Sequence, residues 1–106
     1  MHYLLFYEKA RDYAQREPAH QAAHRTHVFA AVTRGELLLG GPLVEPLDGA
    51  NVLLFQSDTA EVAEAFAKAD PYVQHGIVNH WRVRPWQTVV GAGAACPLPG
   101  SESHQR

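Results

Sequence analysis

Cysteine is nearly absent from this chain. The single Cys96 cannot close an internal disulfide, and its solitary presence fits a reducing cytoplasm, the location expected here. It lies in a Pro- and Gly-rich stretch, a poor setting for a catalytic thiolate. Long apolar runs are missing too. The opening Tyr3-Leu4-Leu5-Phe6-Tyr7 is too short for a signal-peptide core with its cleavage site and far too short to span a bilayer, so no membrane role is expected. There is no excess of positive charge. The nine Lys and Arg are scattered, the net charge is -2, and nothing forms a basic footprint for nucleic acid. What remains is a 106-residue chain with 46% hydrophobic residues, suited to one globular domain with a modest core, and with seven histidines.

Hydrophobic pattern places the elements. Residues 2–8 are apolar without a polar face, so they read as a strand covered on both sides. Residues 10–18 are polar and meet Pro18, which stops or starts a helix. Residues 19–34 read as a helix closed by Gly35 at the position after its C-cap. Residues 36–41 form a second strand, ended by Pro42. Asp48-Gly49 marks a hairpin turn, and residues 51–57 a third strand. Asp58, with Glu61 three residues on, reads as an N-cap, and Val62, Phe66 and Ala69 as the apolar face of the helix that follows. Asp70-Pro71 ends that helix, because the residue before proline avoids the α region. Residues 77–86 alternate, with Ile77, Trp81 and Val83 on one side and His80, Arg82, Arg84 and Trp86 on the other, as in a half-buried strand. The ordered domain is expected over residues 1–91 and a flexible tail over 92–106.

The order β-α-β-β-α-β implies an α+β, ferredoxin-like fold: a four-stranded antiparallel sheet with both helices on one face. The first strand is apolar on both faces, yet the helices cover one. A second copy, packed sheet against sheet as a C2 homodimer, is the economical cover, so a dimeric α+β barrel is expected.

On a helical wheel of residues 19–34, Val28, Phe29 and Val32 mark the core side. His20, His24, His27 and Ala31 form a neighbouring stripe, with His24 nearest the core edge and His20 and His27 turned further to solvent. Histidines at i, i+4 can share a metal, but no Cys accompanies them and no carboxylate lies in the same turns, so no metal is expected. Asp70, before a proline, reads on pattern alone as a turn residue. Its place at a helix C-terminus costs about half a kcal/mol against the dipole, a hint that something else holds it there. Taken singly, His24 reads equally well as a structural or a catalytic histidine.

Several segments together carry a resemblance: His24-Arg25 and its spacing to Gly35, Glu36-Leu37-Leu38-Leu39-Gly40-Gly41-Pro42-Leu43, Ala69-Asp70-Pro71-Tyr72, and Val83-Arg84-Pro85-Trp86. Over about residues 2–88 the chain resembles the YciI-like, or YCII-related, family. That resemblance implies the same ferredoxin-like dimeric barrel, a fold also used by muconolactone isomerases, small monooxygenases and haem-handling proteins. It implies an active-site dyad of His24 and Asp70. Many members carry Arg three residues before the histidine, where Gln21 stands here, so Arg25 or Arg84 is a candidate for the anion-binding role. His27 occupies a position that is often aromatic. Tyr72 of the motif, Arg25, His27, Gly41, Pro42 and Arg84 are the candidate substrate-binding residues.

The chemistry implied is acid–base. Asp70, accepting from one ring nitrogen, fixes the tautomer and leaves the other nitrogen of His24 as general base. Proton abstraction from a small cyclic or aromatic substrate, followed by elimination or isomerisation, needs no cofactor. The family's association with dehydrochlorination of hydroxylated aromatics points the same way. Arg84 or the backbone near Gly40-Gly41-Pro42 is the candidate holder of a developing oxyanion. Two other classes stand beside this lyase or isomerase: a non-catalytic small-molecule-binding or accessory protein of the same fold, and a metal or haem protein using the histidine stripe.

Overall fold

The structure, a computed structural model, describes residues 1–99. Its elements are β1 (His2–Lys9), α1 (Tyr13–Thr33), β2 (Leu37–Pro42), β3 (Ala50–Gln56), α2 (Glu61–Ala69), α3 (Pro71–Gln74) and β4 (Val78–Trp86). The four strands form one sheet in the order β2-β3-β1-β4, every neighbouring pair antiparallel. This is the ferredoxin-like α+β arrangement that the alternating pattern implies.

Side-chain parity on β1 divides the sheet into two unlike faces. Tyr3, Leu5 and Tyr7 are buried on the helix side. Their register partners there include Phe55, Leu53 and Asn51 on β3 and Val83 and Trp81 on β4. Phe66, Ala63 and Ala67 of α2 and Ala31 of α1 complete this core, with Phe66 edge-on to Phe55 at 5.1 Å between centroids. Leu4 and Phe6 take the opposite face beside Leu54 and Val52, half-buried, with the Arg82 guanidinium 4.6 Å from the centre of the Phe6 ring.

Four local expectations are corrected. The first helix begins at Tyr13 and runs through Pro18. Pro18 forfeits the bond to the Ala14 carbonyl, but both residues are exposed, so water can satisfy that oxygen. Asp58 does not cap α2. Its cap residue is Ala60, and the Glu61 amide donates to Thr59 Oγ1 at 3.3 Å. Ala69 is exposed, and Ala63, Phe66 and Ala67 form the buried face of α2. On α1, Ala31 is fully buried and Val28 packs against the core as expected, but Phe29 and Val32 are 63% and 47% exposed, so the histidine stripe together with Val28 faces the protein.

Two glycines act as read. Gly35, at φ +78°, closes α1 through bonds from its own amide to Val32 O and from the Glu36 amide to Ala31 O, a Schellman motif. Gly49 turns the hairpin at φ +90°, where a Cβ would come within 3.2 Å of the Lys9 side chain. Beyond β4, the Cys96 and Leu98 amides bond back to Thr88 O and Val89 O, so residues 92–98, expected as tail, carry defined turns. The rest of the expected tail, 100–106, lies outside the described residues.

Candidate active site

The site is built around a break between two helices. Pro71 bars Asp70 from helical dihedrals, and Asp70 is extended at φ −71°, ψ 124°. It therefore ends α2 and caps α3, a short helix the sequence reading did not contain. Pro71 occupies the first turn of α3, where its missing amide hydrogen costs nothing. The Asp70 carboxylate accepts the Tyr72 amide on Oδ1 at 3.0 Å, the usual bond of an N-cap. That local bond aims the rest of the group toward α1 and β1.

Asp70 is fully buried, and among the described residues no Lys or Arg side chain pairs with it. An imidazole, a phenol and a backbone amide hold it instead. His24 Nδ1 lies 2.7 Å from Oδ1, and the Tyr7 hydroxyl donates to Oδ2 at 2.8 Å. Because a carboxylate only accepts, Nδ1 of His24 carries a proton, and in the neutral ring Nε2 presents its lone pair. The imidazole also lies flat on the Tyr72 ring, with centroids 3.8 Å apart and planes 6° from parallel. Ring orientation is thus fixed twice, by a hydrogen bond and by a stack.

The Tyr7 phenol is held protonated far above its ordinary 10.0, first by burial, then by the Asp70 charge and by its bond to that carboxylate. The Tyr72 phenol is also pushed up, by burial foremost and then by Glu17 and Asp70, with Arg25 opposing.

A cavity of about 290 Å³ opens beside this cluster, between α1 and the β2 side of the sheet. Tyr7, Lys9, His24, Asn51 and Tyr72 supply its polar wall, and Val28, Phe29, Val32, Leu37, Leu53 and their neighbours the apolar one. A largely apolar pocket with a few convergent polar groups is the usual form of a small-molecule site. Lys9 is already engaged: its ammonium pairs with Glu17 at 2.5 Å and lies 5.1 Å and 5.7 Å from the Tyr13 and Tyr72 ring centres.

Among the residues expected at the site, His24, Asp70, Tyr72 and Gly41 come together, with Gly41 on the cavity wall. Four do not. Pro42 is next to Gly41 but off the wall. Arg25 is exposed. Arg84 pairs in register with Leu4 on the opposite sheet face, so it cannot reach the cavity. His27 donates from Nε2 to the Phe66 carbonyl at 2.8 Å and stacks on the Phe66 ring, a helix-to-helix contact outside the cavity. His20, expected in solvent, stacks on His75 at 3.9 Å. Among the described residues, no three His, Cys, Asp or Glu side chains gather as a metal site, and no helix is long and apolar enough to cross a membrane. The sequence reading missed Tyr7, Lys9 and Asn51. Parity was the available signal for all three, since Tyr7 and Lys9 lie at i, i+2 on β1 and Asn51 is the register partner of Tyr7.

Comparison with known proteins bears on this arrangement. A family model described as the YCII-related domain matches residues 1–87. Protein YciI of Escherichia coli O6:H1 and that of Shigella flexneri are each 29% identical over 97 residues, covering 84% of this chain and 99% of theirs. Among solved structures, the chain is similar to the 5-chloro-2-hydroxyhydroquinone dehydrochlorinase TftG of Burkholderia phenoliruptrix AC1100, in complex with 2,5-dihydroxybenzoquinone. Its TM-score is 0.70 at 17% identity, covering 83% of this chain and 95% of that one.

Proposed function

The chain belongs to the YCII-related family, and on that premise we propose that it is a cofactor-free lyase or isomerase of a small cyclic or aromatic metabolite. The observation that carries the proposal is the buried Asp70 bonded to His24 Nδ1 beside an apolar cavity. His24 is the general base. Its Nε2 lone pair takes a proton from a substrate carbon or hydroxyl, and Asp70 stabilises the imidazolium that forms. Expulsion of a leaving group, or return of the proton elsewhere on the ring, completes an elimination or an isomerisation. The Gly40–Gly41 backbone at the cavity wall, Tyr72 and Asn51 are the groups left to hold the substrate, since Arg84 lies on the other face. The cavity suits a single ring, and the TftG neighbour supports the reaction class: its name states a dehydrochlorination, and its ligand is one hydroxylated ring.

The same proposal includes a homodimer that covers the open sheet face, where Leu4, Phe6, Val52 and Leu54 meet no helix among the described residues. A cytoplasmic location accompanies it, consistent with the free, exposed Cys96.

The test is a thermal-shift and turnover screen of hydroxylated and chlorinated single-ring compounds, 2,5-dihydroxybenzoquinone included, against wild type, His24→Gln and Asp70→Asn. Hits that wild type turns over and His24→Gln only binds support the base. Turnover that survives His24→Gln sinks it.

A further inference from the structure

Asp70 has more donors than a histidine-orienting carboxylate needs. Two of them, the Tyr72 amide and His24 Nδ1, share Oδ1, while Oδ2 is given wholly to the Tyr7 hydroxyl. Tyr7 is buried on β1, more than 60 residues before α3 in sequence, and its backbone is fixed on both sides by register with Asn51 and Trp81. The hydroxyl is therefore delivered by the rigid sheet and not by a loop. We propose that Tyr7 is a positioning residue of the site: by sharing the Asp70 carboxylate with His24, it sets how strongly Asp70 holds the imidazole.

The physical basis is competition for one charge. Donors to the same carboxylate each draw electron density from it, so strengthening one weakens the others. A phenol is a good donor at short range, and its bond to a carboxylate is charge-assisted. Its O–H stays in place because burial and the Asp70 charge both disfavour phenolate. Tyr7 is thus a fixed donor. It does not exchange protons with substrate, because its hydrogen points at Oδ2. Without it, Oδ2 would be a buried carboxylate oxygen lacking its partner, and more of the charge would fall on the bond to His24.

The role rests on the reading of His24 as base, but its test does not need substrate. Histidine is labelled with ¹⁵N in the whole ligand-free protein, and the His24 Nδ1–H proton resonance is followed at one mildly alkaline pH. Three proteins are compared: wild type, Tyr7→Phe, and a protein with 3-fluorotyrosine at position 7, whose more acidic phenol is the stronger donor. The expected order is monotonic. Tyr7→Phe moves the resonance downfield as the Asp70–His24 bond tightens, and fluorination moves it upfield as the bond loosens. A resonance that stays put in the fluorinated protein, or moves the wrong way in either variant, overturns the proposal. The fluorinated protein keeps the shape and the hydrogen bond of Tyr7, so it decides the matter even where Tyr7→Phe does not fold. A result against Tyr7 here leaves the base reading standing, and loss of turnover in His24→Gln leaves this one standing.

Discussion

The two faces of the sheet are built from the same strands and obey different rules. On the helix side, β1 contributes Tyr3, Leu5 and Tyr7, and the packing ends in a fully satisfied polar cluster. On the other side, Leu4 and Phe6 make an apolar surface trimmed by Arg82 and Arg84. A single residue of register separates a candidate active site from a candidate subunit interface. The difference teaches where charge is tolerated. Asp70 can sit in the core because three donors converge on it, whereas the arginines stay at the face open to water.

The sharpest way to break this contrast is to remove the centre of the polar cluster. Asp70→Ala leaves the Tyr7 hydroxyl and the Tyr72 amide without their acceptor and strips α3 of its cap, so chemical denaturation is expected to show a loss of about 3 kcal/mol. A midpoint within error of wild type would mean that the cluster does not hold the helix side together.

A smaller effect separates Tyr7 from its neighbours by pH. Near neutral pH, Tyr7→Phe is expected to lose about 2 kcal/mol, the order of a hydrogen bond to a charged group. The sign of its pH dependence follows from the raised folded-state value. Below 10.0 the phenol is protonated in both states. Above it, the unfolded chain ionises while the native phenol does not, so wild type loses stability as pH climbs. Tyr7→Phe lacks that contribution, and its disadvantage is expected to shrink between pH 10 and 11, about the range where unfolded tyrosine titrates. A gap that stays constant across this range would contradict the burial of Tyr7 as a protonated donor.

The mildest change within one chain addresses the open face. Phe6→Glu places a carboxylate beside Arg82, which can pair with it and offset part of the lost packing, so monomer stability is expected to fall by about 1 kcal/mol. The same substitution puts two like charges into the proposed sheet-to-sheet interface. Light scattering should then report the mass of one chain where wild type reports two. An unchanged mass would place any self-association elsewhere.

The strand order, the Asp70-Pro71 break and the Gly35 stop were legible because each depends on local rules: period, proline sterics and left-handed dihedrals. The face of α1 was not. A hydropathy wheel ranks Phe29 and Val32 above histidine, but His20, His24 and His27 each meet a ring supplied some 40 to 55 residues later, by His75, Tyr72 and Phe66 respectively. No local rule contains those partners. Arg84 is the opposite case: the alternation of β4 already sets it against Val83, and a role borrowed from an absent arginine set that parity aside. Tyr7 looked like one more aromatic in an apolar strand because its partner stands 63 positions away.

That separation has a kinetic side. Asp70 reaches 46 residues back to His24 and 63 to Tyr7, so those two bonds, unlike its local bond to the Tyr72 amide, close only after β1, α1 and the α2–α3 segment have all found one another. The carboxylate is thereby a late arrival on the folding path. It locks a nearly finished molecule, and an incompletely folded chain holds none of the geometry that would let it act on a ligand.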